Sequence, residues 1–166
     1  PTKEFEQKQL TFTEVKESIE TITKHVSQLN KDAHILFTVS PIRHLRSGVQ
    51  ESSRSKATLL SALHEVIDKT KSTSYFPSYE IFIDELRDYR FAEEDRTHPT
   101  SLAQDYIWQR FCETYFSDKT IGILEEVNKY TQLAAHRPIH DPKLHEKQVT
   151  KKRITLQRNY PFLQLK

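Results

Sequence analysis

The run AEEDRTHPTSLAQDYIWQRF, residues 92–111, sets Asp95, His98 and Pro99 in one short turn directly ahead of an apolar helical pattern. Within a turn, residues three apart can bring a carboxylate against the Nδ1 of an imidazole. That contact fixes the tautomer and leaves Nε2 free to take a proton from a hydroxyl, which would make His98 a general base and Asp95 its orienter. Pro99, with Thr100 or Ser101, starts the next helix and holds the turn on a rigid element. The plainer alternative is that Asp95 and His98 cap the helix or face solvent. A bare Asp-x-x-His does not separate the two.

A base needs a nucleophile, and the serines near strand ends are the ones to test. Ser40 ends an apolar run, but its successor is Pro41, which has no N–H to offer an oxyanion hole. Ser78 is followed by Tyr79, which keeps its N–H, yet no glycine flanks it to permit a tight elbow. Neither serine meets the requirement, and Ser40 is assigned with Arg43 and His44 to a substrate-binding rim. There a guanidinium can hold a carboxylate or phosphate bidentately; alternatively, Arg43 ties down a loop through Asp84 or Asp88. Lys56 reads as a surface residue. His136, His140 and His145 are separated by Pro138 and Pro142 and do not share a helical face, so no metal site and no cofactor are expected.

The elements that position these groups follow from periodicity. Thr11-x-x-Glu14 has capping-box spacing and opens a helix of about 18 residues with Phe12, Val15, Ile19, Ile22, Val26 and Leu29 at apolar positions. His34 to Val39 reads as a buried strand, stopped by Pro41, and a helix from Arg54 to Lys69 presents Leu60, Leu63 and Ile67. Thr73 to Phe76 is a second strand, stopped by Pro77. Strand, helix, strand is a βαβ unit with parallel strands.

Residues 80–90 are compatible with either strand or helix. The helix after Pro99 has the widest apolar face, with Gln104, Asp105, Gln109 and Glu113 as its wet strip, and is expected to be the most buried. Ser117 caps a further helix ended by His136-Arg137-Pro138, and a basic helix over 143–158 precedes an anchor at Tyr160-Pro161-Phe162-Leu163. Helices dominate, and two strands are too few for a parallel sheet covered on both faces. The pattern suits the back half of an α/β domain.

Composition sets outer bounds. Residues 136–166 hold eight Lys/Arg against two Asp/Glu, while residues 1–135 hold 17 against 21, an asymmetry typical of a docking or interaction tail. The basic helix carries no strong nucleic-acid signal and reads as a solvated or docked face. Cys112 is the lone cysteine, which excludes a disulfide framework and makes a reducing, cytoplasmic setting the default. No run of about 18 apolar residues exists, so no transmembrane segment is expected.

Several blocks together carry a resemblance. Thr38-Val39-Ser40-Pro41-Ile42-Arg43-His44-Leu45, Ser55-Lys56-Ala57-Thr58-Leu59-Leu60, Tyr75-Phe76-Pro77-Ser78-Tyr79-Glu80-Ile81, Asp84 through Phe91, and Glu94-Asp95-x-x-His98-Pro99 occur in this order and closely resemble the GSCFA domain family of bacteria. The match covers roughly residues 30–116, and the tail with His136-Arg137-Pro138 also fits. Members of that family look like relatives of the SGNH hydrolases. The resemblance implies an α/β fold with an SGNH-hydrolase-like, flavodoxin-like three-layer parallel sheet, here incomplete, plus extra C-terminal helices. In SGNH hydrolases a Ser near the domain's N-terminus is the nucleophile, Gly and Asn donate to the oxyanion, and Asp-x-x-His closes the site. Asp95 and His98 are what carry over.

The Gly-Ser-Cys-Phe-Ala block that names the family is absent from these 166 residues, as is the Asn-bearing block that precedes the segment resembling residues 1–12. Pro1 and the lack of any Met also fit a fragment. The expectation is therefore a C-terminal part of an SGNH-like α/β domain over 1–117, with a helical extension over 118–166 packed on it. Its partner would be the missing N-terminal part of the same protein, and its substrate an acyl ester or glycan-type compound. On its own such a chain would be inactive, lacking nucleophile and oxyanion donors. The contrasting expectation is a non-catalytic binding domain that uses Arg43, His44 and the basic tail for an anionic partner.

Overall fold

The computed structural model describes residues 8–43, 46 and 48–165. The chain divides into two compact units, Pro1–Gln109 and Arg110–Lys166. Most of it is helical, and the sheet formed by the described residues has two parallel strands, so the class is mixed α/β.

In the first unit, helix α1 spans Phe12–Leu29 and begins with the reciprocal cap its sequence announces. The Glu14 amide donates to Thr11 Oγ1 at 3.3 Å, and the Thr11 amide donates to Glu14 Oε2 at 2.8 Å. Its buried stripe is Ile19 and Thr23, with Val15 and Val26 half-buried beside them, whereas Phe12, Ile22 and Leu29 are exposed. The stripe is narrower than the apolar pattern because a threonine can join it: Thr23 Oγ1 donates to the Ile19 carbonyl at 2.8 Å, so its hydroxyl is satisfied inside the helix.

Strand β1, Ile35–Thr38, runs parallel to β2, Thr73–Phe76, with Ile35 opposite Thr73 and Thr38 opposite Phe76. Helix α2, Val49–Ile67, makes the crossover. It starts five residues before the predicted Arg54, because Gly48 at φ 89° turns the chain into the first helical turn at a φ that an L side chain rarely adopts. Ile19, Val39, Leu63 and Val66 form the core, with Phe37, Leu59, Leu60 and Tyr75 among the residues packed around them. β1 corrects its prediction as a buried strand: Ile35, Leu36 and Phe37 are half-buried and Thr38 is exposed. A strand with one paired neighbour keeps an open edge.

Two hydroxyls clasp the strand ends. Thr38 Oγ1 donates to the Phe76 carbonyl at 2.9 Å, Ser78 Oγ donates to the Val39 carbonyl at 2.9 Å, and the two oxygens lie 2.6 Å apart. Residues 80–90, open between strand and helical turn on sequence, contain no strand: helical turns cover 80–85 and 89–90, and 86–88 are irregular. α3, Ser78–Glu80, leads into a π-helical turn at Ile81–Glu85, closed by the Leu86 amide on the Ile81 carbonyl at 3.0 Å. That wide turn buries Ile81, Phe82 and Leu86 together. A 3₁₀ turn at Tyr89–Phe91 follows, capped by Asp88.

Helix α4, Ser101–Tyr115, runs through the division between the units. It is not the most buried helix: only Ala103 is buried, while Leu102 is 54% and Trp108 50% exposed. Gln104, Asp105, Gln109 and Glu113 are exposed as predicted. An apolar face states what a helix can bury, and packing partners decide how much of it is covered.

In the second unit, α5, Asp118–Ala135, is capped by Ser117 and packs against α6, Pro142–Asn159, capped by Asp141. Tyr130 and Leu156 are buried. Tyr160 donates its hydroxyl to Glu126 at 3.0 Å and anchors the terminus, whereas Phe162 of the predicted anchor is 70% exposed. Among the basic residues of α6, Lys147, Lys151 and Arg158 are exposed and Lys152 and Arg153 half-buried.

Candidate active site

The Asp95–His98 turn is the tip of a small closed loop. An antiparallel bridge joins Ala92 to Pro99, the Glu93 amide donates to the His98 carbonyl at 2.9 Å, and the Thr100 amide donates to the Phe91 carbonyl at 3.0 Å. At the tip the Arg96 amide donates to the Glu93 carbonyl at 2.8 Å, with Arg96 at φ 55°, an unusual left-handed conformation for a residue other than glycine. The loop is held by its own backbone before any side chain is considered.

Asp95 uses both oxygens. Oδ1 accepts the Thr97 amide at 2.8 Å and the His98 amide at 3.0 Å, and Oδ2 lies 2.6 Å from His98 Nδ1. These donors, the His98 amide first, then its ring and then the Thr97 amide, hold the Asp95 carboxyl down at about 2. A depressed carboxyl stabilises the fold above the unfolded value of roughly 3.9. That contribution is lost as pH falls through the folded value. With Oδ2 ionised and facing Nδ1, the neutral ring carries its proton on Nδ1, and Nε2 has no hydrogen-bond partner among the described residues. His98 is exposed at the surface.

Helix capping is done elsewhere. Thr100 precedes α4, its carbonyl accepting the Gln104 amide at 3.0 Å and its Oγ1 the Ala103 amide at 3.4 Å. Gln104 Nε2 also donates to the Pro99 carbonyl at 3.0 Å, tying the loop to the first turn of α4.

Arg43 reaches this loop from the segment after β1: its Nη1 lies 3.5 Å from the Arg96 carbonyl, a long contact at the limit of a hydrogen bond. Asp84 and Asp88, the alternative partners, are engaged by Arg87 at 2.7 Å and Arg90 at 3.8 Å. Arg43 and Arg96 line a half-open hollow of about 400 Å³ together with Arg87, Asp88 and Tyr89. Sequence reasoning found Arg43 and passed over Arg96, although it stands inside Asp95-x-x-His98. His44, assigned to the same rim, lies outside the described residues.

Ser40 accepts the Ile42 amide on its hydroxyl at 3.3 Å, a local turn contact. Its carbonyl accepts from Lys56 Nζ at 2.6 Å. Lys56 is thus no surface residue: it is buried, with its ammonium 5.2 Å from the Tyr79 ring centre, and burial pushes it below the usual lysine range. A lowered lysine gives up its proton in the folded chain before the unfolded one does. Its unfavourable term is therefore present at neutral pH and fades as pH rises through the folded value. Lys56→Met, which removes the donor that ties the Arg43-bearing segment to α2, is expected to lower stability by about 1–3 kcal/mol in urea melts. Unchanged stability would mean that desolvation of the ammonium cancels the bond.

In the second unit, His136 and His145 approach to 5.7 Å between ring centres. Among the described residues no group of three or more His, Cys, Asp or Glu is arranged to hold a metal ion. No described helix is long and apolar enough to cross a membrane.

Neither a curated protein nor a solved structure matches the chain. The GSCFA family matches residues 1–111, which take in β1, β2, the clasp of Thr38 and Ser78 and the whole Asp95–His98 loop. A match over that share of the chain means that this protein belongs to the GSCFA family.

Proposed function

We propose that the chain supplies the general base and its orienter to an SGNH-like serine esterase or acyl hydrolase. The nucleophilic serine would be carried on the family's Gly-Ser-Cys-Phe-Ala segment, which does not occur in residues 1–166. The observation that carries this reading is the 2.6 Å contact between Asp95 Oδ2 and His98 Nδ1, with Asp95 pinned by two backbone amides. In this scheme Nε2 of His98 takes the serine proton as Oγ attacks the acyl carbonyl, then gives it to the departing alkoxide. Water repeats the cycle on the acyl-enzyme and releases the acid. Ser40 and Arg43 would border the substrate, an acyl ester or glycan-type compound.

The parallel β1–α2–β2 arrangement supports an SGNH-like three-layer fold, and the edge of β1 left unpaired by β2 is where further strands would join. A second reading, a non-catalytic domain that binds an anionic partner, is favoured by Arg43, which has no carboxylate partner among the described residues. A panel of short acyl esters separates the two, assayed on the gene product that includes the Gly-Ser segment and on its His98→Ala variant. Hydrolysis that falls about 10²–10⁴-fold in the variant is the expected result. Equal rates would remove His98 from the chemistry and leave the binding reading.

A further inference from the structure

The hollow beside the Asp95–His98 loop has a definite chemical character. Its floor is apolar: Phe82 and Leu86 are buried, and Ile83 and Ala92 are half-buried. Three arginines, Arg43, Arg87 and Arg96, are among its lining residues. Arg87 is paired with Asp84 at 2.7 Å, and Asp88, the one acid in the lining, is engaged by the Arg90 amide at 3.0 Å and by its side chain at 3.8 Å. Arg43 and Arg96 have no carboxylate partner among the described residues. The Arg96 guanidinium instead lies 5.4 Å from the Tyr89 ring centre, which holds it at the wall without neutralising it.

Two arginines without a carboxylate partner, beside an acid already engaged by Arg90, leave an excess of positive charge over an apolar floor. That excess is relieved by an oxyanion between them whose organic body covers Phe82 and Leu86. The hollow also joins the base loop, because Arg96 sits between Asp95 and His98 and its carbonyl faces Arg43.

We infer that this hollow is an anion subsite, which takes a carboxylate or phosphate carried on a short apolar or aromatic body. Its assignment to the substrate, which would then be an acidic ester, rests on the hydrolase reading; anion binding itself does not. Arg43 and Arg96 are positioning residues in that scheme, because they hold the acidic group and leave the scissile bond to His98.

The test is a chemical-shift titration of the chain with benzoate, phenyl phosphate and neutral benzamide. At least one anion is expected to bind about ten-fold more tightly than benzamide, and the tighter of the two names the group. Arg43→Gln combined with Arg96→Gly should weaken that anion by about ten-fold while thermal melting stays near the parent's. Glycine adopts the φ of 55° at position 96 without strain, so the turn survives the change. His98→Ala should leave anion binding within about two-fold, so a failed ester assay and a failed subsite give different results. The inference is overturned if benzamide binds as tightly as both anions, if none of the three binds, or if the double variant binds the anion like the parent.

Discussion

On the hydrolase reading proposed above, Asp95→Asn, made in a chain that carries a Gly-Ser segment, should cut kcat for ester hydrolysis by about 10³–10⁴-fold while the loop keeps its shape. The asparagine Oδ1 can still accept the Thr97 and His98 amides, which in the parent lie 2.8 and 3.0 Å from the carboxylate. Its other terminus is now an NH₂, which donates to Nδ1 where the carboxylate accepted. The imidazole must place its proton on Nε2, and Nε2 can no longer take one from a serine. Binding should change little, so the loss falls on kcat and not on KM. Nitrogen NMR of the ring would show the switched tautomer directly. A variant within about ten-fold of the parent rate would sink the assignment of Asp95 as orienter.

Leu63→Ala should lower the stability of the first unit by about 2–5 kcal/mol, which for a unit of this size means a melting temperature reduced on the order of 10–20 °C. Leu63 is 3% exposed and meets Ile19 of α1 and Val39 beyond β1 in one cluster. Truncation therefore leaves a cavity where helix and sheet layers join, and the surrounding groups collapse only in part. Leu60→Ala, one turn earlier and half-buried, should cost less than half as much. Equal losses at both positions would show that α2 is held by its whole face and not by this cluster.

Local signals were the legible ones. Thr11 and Glu14 announced the cap of α1, Pro77 stopped β2 at Phe76, and Asp95 met His98 because three residues of turn settle that geometry. What depends on distant partners was not legible. The exposure of Leu102 and Trp108 on α4 and the half-burial of β1 are set by how much neighbouring surface reaches them. Lys56 was missed because its partner, the Ser40 carbonyl, lies 16 residues away, and nothing in a lysine's identity tells whether its ammonium meets a carbonyl or water. The π-helical turn at Ile81–Glu85 was hidden for another reason: apolar residues at 81, 82, 83 and 86 fit strand and helix periods equally badly.

The bridge between Ala92 and Pro99 makes the Asp95–His98 loop nearly self-sufficient. Every hydrogen bond of the Asp95 carboxylate joins residues within that eight-residue circuit, which the Thr100 amide on the Phe91 carbonyl closes from just outside. Closing a circuit of this length takes about 10–100 ns, far faster than a βαβ unit assembles. The pair should therefore withstand damage to the core. Leu63→Ala and Asp95→Asn, which share no partner, should be additive in stability, and drift in the sheet can alter the surroundings of the pair while its internal geometry stays the same.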